Sequence, residues 1–296
     1  MSSPELAGLL LHPLTRKHFK LFLNRPSHAL LITGKEGSGK STLAHHLSSV
    51  LLDTEVEQLT LSPYFTLVDI PEGKTEIPIE VIRTIVNGSK LKIPGKAQVK
   101  RVVVIRRAEA MSPEAQNALL KVLEEPPPGN VFILCSPSPQ SILPTIVSRS
   151  RILPVHDISL GSTADYYGES YNDQLIKSAW SLSAGSAGLL NALLRDDTDH
   201  PLKEAVIAAK ELLKHDTYSR LLKFDELAKD RARFKLEAEA LGRVMEALHH
   251  QAVAGGSNKT SRLLKNRRLI KQSQELLETN TSTRLIALRL ALTLKL

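Results

Sequence analysis

The chain has 296 residues, 42% of them apolar, enough to bury more than one core and to suit two or three domains. Its 39 Lys and Arg against 31 Asp and Glu give a net charge of +8, compatible with work near nucleic acid and equally with an ordinary basic protein. No apolar stretch approaches the roughly 20 residues that span a bilayer, the N-terminus lacks the layout of a signal peptide, and one cysteine excludes an internal disulfide or a cysteine-built zinc site, so a cytoplasmic protein with no membrane partner is expected.

In chain order, residues 29–33 (Ala-Leu-Leu-Ile-Thr) form a compact apolar run that reads as a buried strand. Residues 42–52 follow as a helix, with Leu43, Leu47, Val50 and Leu51 at helical spacing. Strand-like and helix-like segments then alternate: a strand over 64–70, a helix over 78–89, a strand over 101–105, a helix over 113–123 and a strand over 131–135. That alternation predicts an α/β unit with a parallel sheet covered by helices. Val102-Val103-Val104-Ile105 shows no polar alternation, as expected when both faces of a strand are covered. Ser112 and Pro113 provide an N-cap and first-turn pair for the 113–123 helix, and Pro126-Pro127-Pro128 stops it. Cys135, inside an apolar run, reads as a small buried side chain.

From about Asp157 the segments are helical only. Gly161-Ser162 reads as a linker, residues 180–194 as a helical pair broken near Gly185 and Gly188, and His200-Pro201 as a second boundary. Residues 202–213, 236–249 and 284–296 are periodic and predict a helical bundle, interrupted by the turn Gly255-Gly256-Ser257-Asn258. The stretch from Lys259 to Lys271 carries Arg262, Lys265, Arg267 and Arg268 with no acidic residue between its ends. It reads as a solvated helix face, or as a strip for phosphates, although no aromatic residues interleave to stack bases.

The chemistry concentrates at residues 34–41. Gly34-Lys35-Glu36-Gly37-Ser38-Gly39-Lys40-Ser41 fills G-x-x-x-x-G-K-[ST], lies between a strand and a helix, and reads as a phosphate-binding loop for ATP or GTP. Its glycines let backbone N–H groups turn around a β-phosphate, and Lys40 reaches the β and γ oxygens. The Ser41 hydroxyl is placed for Mg²⁺, and the helix beginning near Thr42 adds its positive end. A hydrolysing enzyme also needs carboxylates at the end of a neighbouring strand. Here the 101–105 strand runs into Arg106-Arg107-Ala108-Glu109. Arginine neither acts as a base nor holds a magnesium ion, so binding with weak or absent hydrolysis is expected. Glu109 stands a turn further on, and at that distance it reads as a solvent-exposed residue rather than a substitute carboxylate.

Asn117-Ala118-Leu119-Leu120-Lys121, followed by Leu123-Glu124-Glu125-Pro126-Pro127, closely resembles the sequence after the Walker B strand in bacterial clamp-loader subunits of the AAA+ family. The resemblance continues in Leu143-Pro144-Thr145-Ile146-Val147-Ser148-Arg149-Ser150, similar to that family's Ser-Arg-Cys motif with serine in place of cysteine. It reaches upstream to His28-Ala29-Leu30 and downstream to residues 280–296. It implies an AAA+ nucleotide-binding domain over 1–157, a helical lid over 158–200 and an all-α collar over 201–296, with ATP or ADP and Mg²⁺ as cofactors. Arg149 would be an arginine finger offered in trans to a neighbour's ATP. Ser136 would be the polar sensor of the γ-phosphate, although a turn serine is an equal reading from the residues alone. Arg106 and Arg107 replace the family's acidic pair, no zinc cysteines lie between Ser41 and Arg101, and Gly185-Ser186-Ala187-Gly188 offers no lid arginine. This pattern resembles a stationary subunit of the bacterial DNA polymerase III clamp loader rather than a motor. The resemblance implies motor (tau- or gamma-like) and delta-like subunits as partners through the collar and the Arg149 face, and the sliding clamp and primer-template DNA through the assembly. A motor-type ATPase using Glu109 and a free-standing nucleic-acid-binding protein using Lys259–Lys271 are the alternatives.

Overall fold

The computed structural model describes residues 8–91, 93–195 and 200–294. They fall into two compact units, the first built from the described residues up to Ser159 with Ser186–Gly188, the second from Leu160–Gly185 and the described residues from Leu189 onward.

The first unit is organised by five strands, β1 (Ala29–Thr33), β2 (Phe65–Val68), β3 (Arg101–Ile105), β4 (Asn130–Ser136) and β5 (Arg151–Pro154). All pairings are parallel and the order is β2-β3-β4-β1-β5. Leu31 of β1 sits opposite Leu134 on one side and Ile152 on the other, so the strand preceding the glycine-rich loop is internal to the sheet. The helices of this unit are α1 (Pro13–Asn24), α2 (Lys40–Leu52), α3 (Ile79–Ser89), α4 (Pro113–Glu124) and α5 (Pro144–Arg149).

The uninterrupted apolar strands are explained by period-2 burial onto two cores. Val102, Val104, Ile133 and Cys135 pack with Leu43 and Leu47 of α2 and Phe19 and Phe22 of α1. Val103, Ile105, Phe132 and Leu134 pack on the other side with Ala115 and Leu119 of α4. Cys135 is buried as expected. The start of α4 follows its sequence signals, with the Ser112 hydroxyl accepting from the Ala115 N–H at 3.2 Å and Pro113 in the first turn. The strand expected over 64–70 is shorter, ending at Val68 and leaving Asp69 just beyond it. Two elements had no strong signal. β5 is four residues with only Ile152 and Leu153 at its centre, and α1 is announced by Pro13 and by His12, whose Nδ1 accepts from the Leu14 N–H at 3.2 Å.

The second unit is helical: α6 (Leu160–Tyr167), α7 (Asp173–Ser183), α8 (Ala187–Leu194, of which Ala187 and Gly188 belong to the first unit), α9 (Pro201–Lys214), α10 (Thr217–Leu227), α11 (Arg231–Ala254), α12 (Thr260–Leu277) and α13 (Thr283–Thr293). Gly161 and Ser162 lie inside α6 rather than in a linker. The break after α7 falls at Ala184 and Gly185, both with positive φ, while Gly188 is helical within α8. The helix expected over 236–249 is longer because Asp230 caps it, its carboxylate accepting from the Ala232 and Arg233 N–H groups at 2.9 and 3.0 Å. The 255–258 turn separates α11 from α12. Lys295 and Leu296, the end of the expected last helix, lie outside the described residues. Val206, Phe224, Phe234, Met245, Ile270 and Leu290 belong to the core of this unit. No helix among the described residues is long and apolar enough to cross a membrane.

Phe132 is fully buried in the middle strand between the two cores of the first unit. Phe132→Ala is expected to cost about 3–5 kcal/mol of that unit's stability, read as an earlier urea midpoint in its unfolding transition.

Candidate functional site

The loop joining β1 to α2 ends at Gly39, the N-cap of α2, whose φ of 88° is open to glycine at little cost. No side chain caps this helix. At the loop's start, a Cβ on Gly34 would lie 2.8 Å from Ser38 Oγ and 3.1 Å from Val155 Cβ, so the loop passes close to the segment following β5. That segment also supplies Asp157, which takes Lys35 Nζ at 2.8 Å. Gly188 in turn leaves room for the loop, because a Cβ there would come within 2.7 Å of the Gly37 carbonyl oxygen.

Lys40, in the first turn of α2, reaches back over the loop and donates through Nζ to the carbonyls of Gly34 at 2.6 Å and Lys35 at 2.9 Å. The Ser38 hydroxyl is buried in the loop without a hydrogen-bond partner. An uncapped helix N-terminus, a lysine folded over the loop and a buried orphan hydroxyl fit a phosphate group, whose oxygens accept from all three.

The ends of three strands meet around this loop. Gly34 N–H donates to the carbonyl of Ser136 at the end of β4, and Arg106 N–H donates to the carbonyl of Val68, which carries the β3–β2 ladder one residue beyond the strands. The Arg106 side chain turns to the loop and its Nε donates to Ser41 Oγ at 3.3 Å. The same guanidinium lies 3.4 Å from Asp69, just past β2. Arg107, in the left-handed region with φ 49°, turns to the other oxygen of Asp69 through Nε at 2.8 Å and a terminal nitrogen at 2.5 Å. The expected magnesium role of Ser41 therefore does not fit these residues. Its hydroxyl already faces a permanent cation, and no carboxylate stands at the end of β3. With the protein's own groups alone, a divalent ion about 4 Å from a guanidinium meets a repulsion on the order of 8 kcal/mol at an effective dielectric of about 20, and Asp69, shared by two arginines, offsets it only in part, so that any ion there would depend on the phosphates alone.

Glu109 is placed differently from its expectation as a solvent-exposed residue. It lies in the short 3₁₀ turn Ala108–Ala110, half-buried, with one carboxylate oxygen buried and unpartnered. Burial raises its pKa above the ordinary carboxylate value. Its own backbone, Lys40 and Ser136 pull the other way, while Glu36 adds to the rise. Ser136 is fully buried and its hydroxyl donates to the Ser138 carbonyl at 3.1 Å. Cys135 lies beneath the first turn of α2, its Sγ 3.9 Å from the Lys40 carbonyl, and burial pushes its pKa up to about 12.

Loop, Ser41, Ser136 and Glu109 are thus brought together, whereas Arg149 has different surroundings. It is exposed at the end of α5, where it pairs with Glu124 of α4 at 2.9 Å and donates to the Thr145 carbonyl at 3.0 Å. Lys259, Lys265, Arg268 and Lys271 are exposed along α12 or at its start, while Arg267 is taken up by Glu246 at 2.5 Å and by His249 at 3.0 Å, both on α11. The residue that sequence reasoning missed is Asp69. Its signal is a carboxylate directly after an apolar run, hidden when the strand is drawn through to residue 70.

A five-stranded parallel sheet with this loop between β1 and α2, followed by a helical region, is the fold of the AAA+ P-loop proteins. Across 95% of this chain and 98% of the other, it matches the crystal structure of a DNA polymerase III gamma subunit-related protein from Thermotoga maritima, with a TM-score of 0.56 at 18% identity. Residues 16–159 match the family model described as DNA polymerase III, delta subunit. The DNA polymerase III subunit delta′ of Pseudomonas aeruginosa is 34% identical over 139 residues, 42% of this chain and 41% of that protein. The subunit delta′ of Escherichia coli K12 is 31% identical over 196 residues, 58% of this chain and 56% of that protein. The matched part thus spans about half the length of these curated relatives. Over these parts of its length the chain is similar to the delta′ subunits of DNA polymerase III.

Because the folded-state pKa of Glu109 is raised, the folded protein holds its proton more tightly than the unfolded chain, and stability falls as pH rises from the ordinary carboxylate range through that raised value. Glu109→Gln is therefore expected to raise the thermal midpoint at neutral pH, with the advantage shrinking as pH falls below that window, as a melting series across pH would read.

Proposed function

We propose that this chain is the stationary, delta-prime-like subunit of a DNA polymerase III clamp loader, binding ATP or ADP in residues 34–42 and hydrolysing it weakly or not at all. The observation that carries the reading is Arg106, whose guanidinium faces Ser41 where a hydrolysing site would gather carboxylates around a metal. Lys40 supplies the charge for the phosphates, and Ser136, close to Glu109 at the end of β4, is read as the sensor of the terminal one. Nucleotide here acts as a structural staple rather than as fuel.

Arg149 is the residue through which the chain would act on a neighbour. Its exposure and its weak tether to Glu124 support a finger offered to ATP held by an adjacent motor subunit, tau- or gamma-like, where a permanent planar cation stabilises charge on the transferring phosphoryl. Assembly is supported by an apolar surface in the helical unit. α10 and α13 pack together and expose Tyr218 and Leu222 on one, and Leu285, Leu288 and Leu292 on the other. In this reading residues 158–200 serve as lid and 201–296 as collar. Motor and delta-like subunits are the neighbours, and the sliding clamp and primer-template DNA are reached through the assembly.

A second reading rests on Glu109, which stands close enough to Lys40 and Ser136 to polarise water as the base of a motor-type ATPase. Steady-state hydrolysis by the purified chain, with Lys40→Ala and Glu109→Gln as controls, separates the two. Nucleotide binding without turnover is expected, and turnover lost in both variants would put the motor first. In a loader reconstituted with its motor subunits, Arg149→Ala is expected to lower DNA-stimulated ATPase by about tenfold or more. An unchanged rate would remove the finger.

A further inference from the structure

The mismatch between Ser41 and a magnesium ion has a positive counterpart. We infer that the Arg106 guanidinium takes the place of the divalent cation, so that the P-loop holds a nucleoside di- or triphosphate without a metal. The inference deepens the proposed function, resting on its reading of residues 34–41 as a nucleotide site.

Three features fix Arg106 in that role. Its backbone N–H is bound to Val68 at 2.9 Å, so the residue begins from an extension of the sheet and not from a free loop. Its side chain spans from Asp69 to Ser41, with Nε 3.3 Å from the hydroxyl that the loop motif devotes to the metal. The guanidinium carries its N–H donors in a plane, a geometry that matches pairs of phosphate oxygens as a metal's empty coordination positions would. Asp69, which Arg107 also grips, holds one terminal nitrogen of Arg106 at 3.4 Å, while the Nε of the same group is turned to Ser41. Lys40 and Arg106 then approach the same phosphates from two sides: Lys40 from the helix end, Arg106 from the end of β3.

The chemical consequence is a reversal of the ordinary metal dependence. A phosphate chain stripped of its metal carries more negative charge, and the site answers that charge with two fixed cations. Magnesium in solution gains no ligand from Ser41 and competes for the same oxygens.

Isothermal titration of the full chain with ATP and with ADP, once in excess EDTA and once in excess Mg²⁺, tests this directly. Affinity in EDTA is expected to equal that in Mg²⁺ within about threefold, or to exceed it. Arg106→Ala is expected to weaken the EDTA value by about tenfold or more, and Arg106→Asp, which returns a carboxylate beside Ser41, to bind only with Mg²⁺ present. Wild-type affinity that falls by more than about threefold on chelation would overturn the inference while leaving the nucleotide site standing. An EDTA affinity unmoved by a folded Arg106→Ala would also overturn it. No binding under either condition would overturn the nucleotide reading itself and the inference with it. The wild-type comparison needs no substitution, so it decides even if a variant fails to fold.

Discussion

The arrangement on which the site depends is a guanidinium held between a hydroxyl and a carboxylate at the edge of a sheet. Arg106 is anchored by the β3–β2 ladder, faces Ser41 across the loop, and is steadied by Asp69. Each of these partners comes from a different stretch of sequence, brought together by a parallel sheet whose strand ends converge on one side. The sheet can do this because its inner strands β1, β3 and β4 are buried on two faces, which is why they are written in nearly unbroken apolar residues. The pair of arginines after β3 therefore does two different things in the fold. Arg106 sets a permanent cation against the loop hydroxyl, and Arg107 holds the carboxylate that steadies it.

Much of this was legible in the sequence because its signals are local. The loop motif, the Ser112-Pro113 helix start, the apolar β3 and β4 runs and the periodic α9 each depend on near neighbours, and each stands where it was expected. Local signals failed where tertiary packing decides. β5 has too few apolar residues to declare itself and exists because β1 offers it a free edge. Gly161 and Ser162, ordinary linker residues by composition, were drawn into α6.

The candidate site was legible in its parts and not in its assembly. Arg106 and Arg107 were seen as a pair of missing carboxylates, but only the fold separates them. Arg106 turns to Ser41 while Arg107, with its positive φ, turns away to Asp69. Nothing within a window of a few residues distinguishes two adjacent arginines. Glu109 illustrates the same limit in the opposite direction, because the turn at Ala108–Ala110 shortens the distance that sequence separation implies and brings the carboxylate beside Lys40.

The ion pair between Arg149 and Glu124 has a bearing on entropy. An arginine left free samples many rotamers, and ordering it against a phosphate forfeits that freedom at the moment of contact. Glu124, together with the Thr145 carbonyl, already confines the side chain to one direction. An exposed pair of this kind contributes about 0–1 kcal/mol, so it is released readily to a more highly charged acceptor. A side chain tethered in this way has already given up part of its rotamer freedom, and so loses less of it than a free arginine on meeting another acceptor.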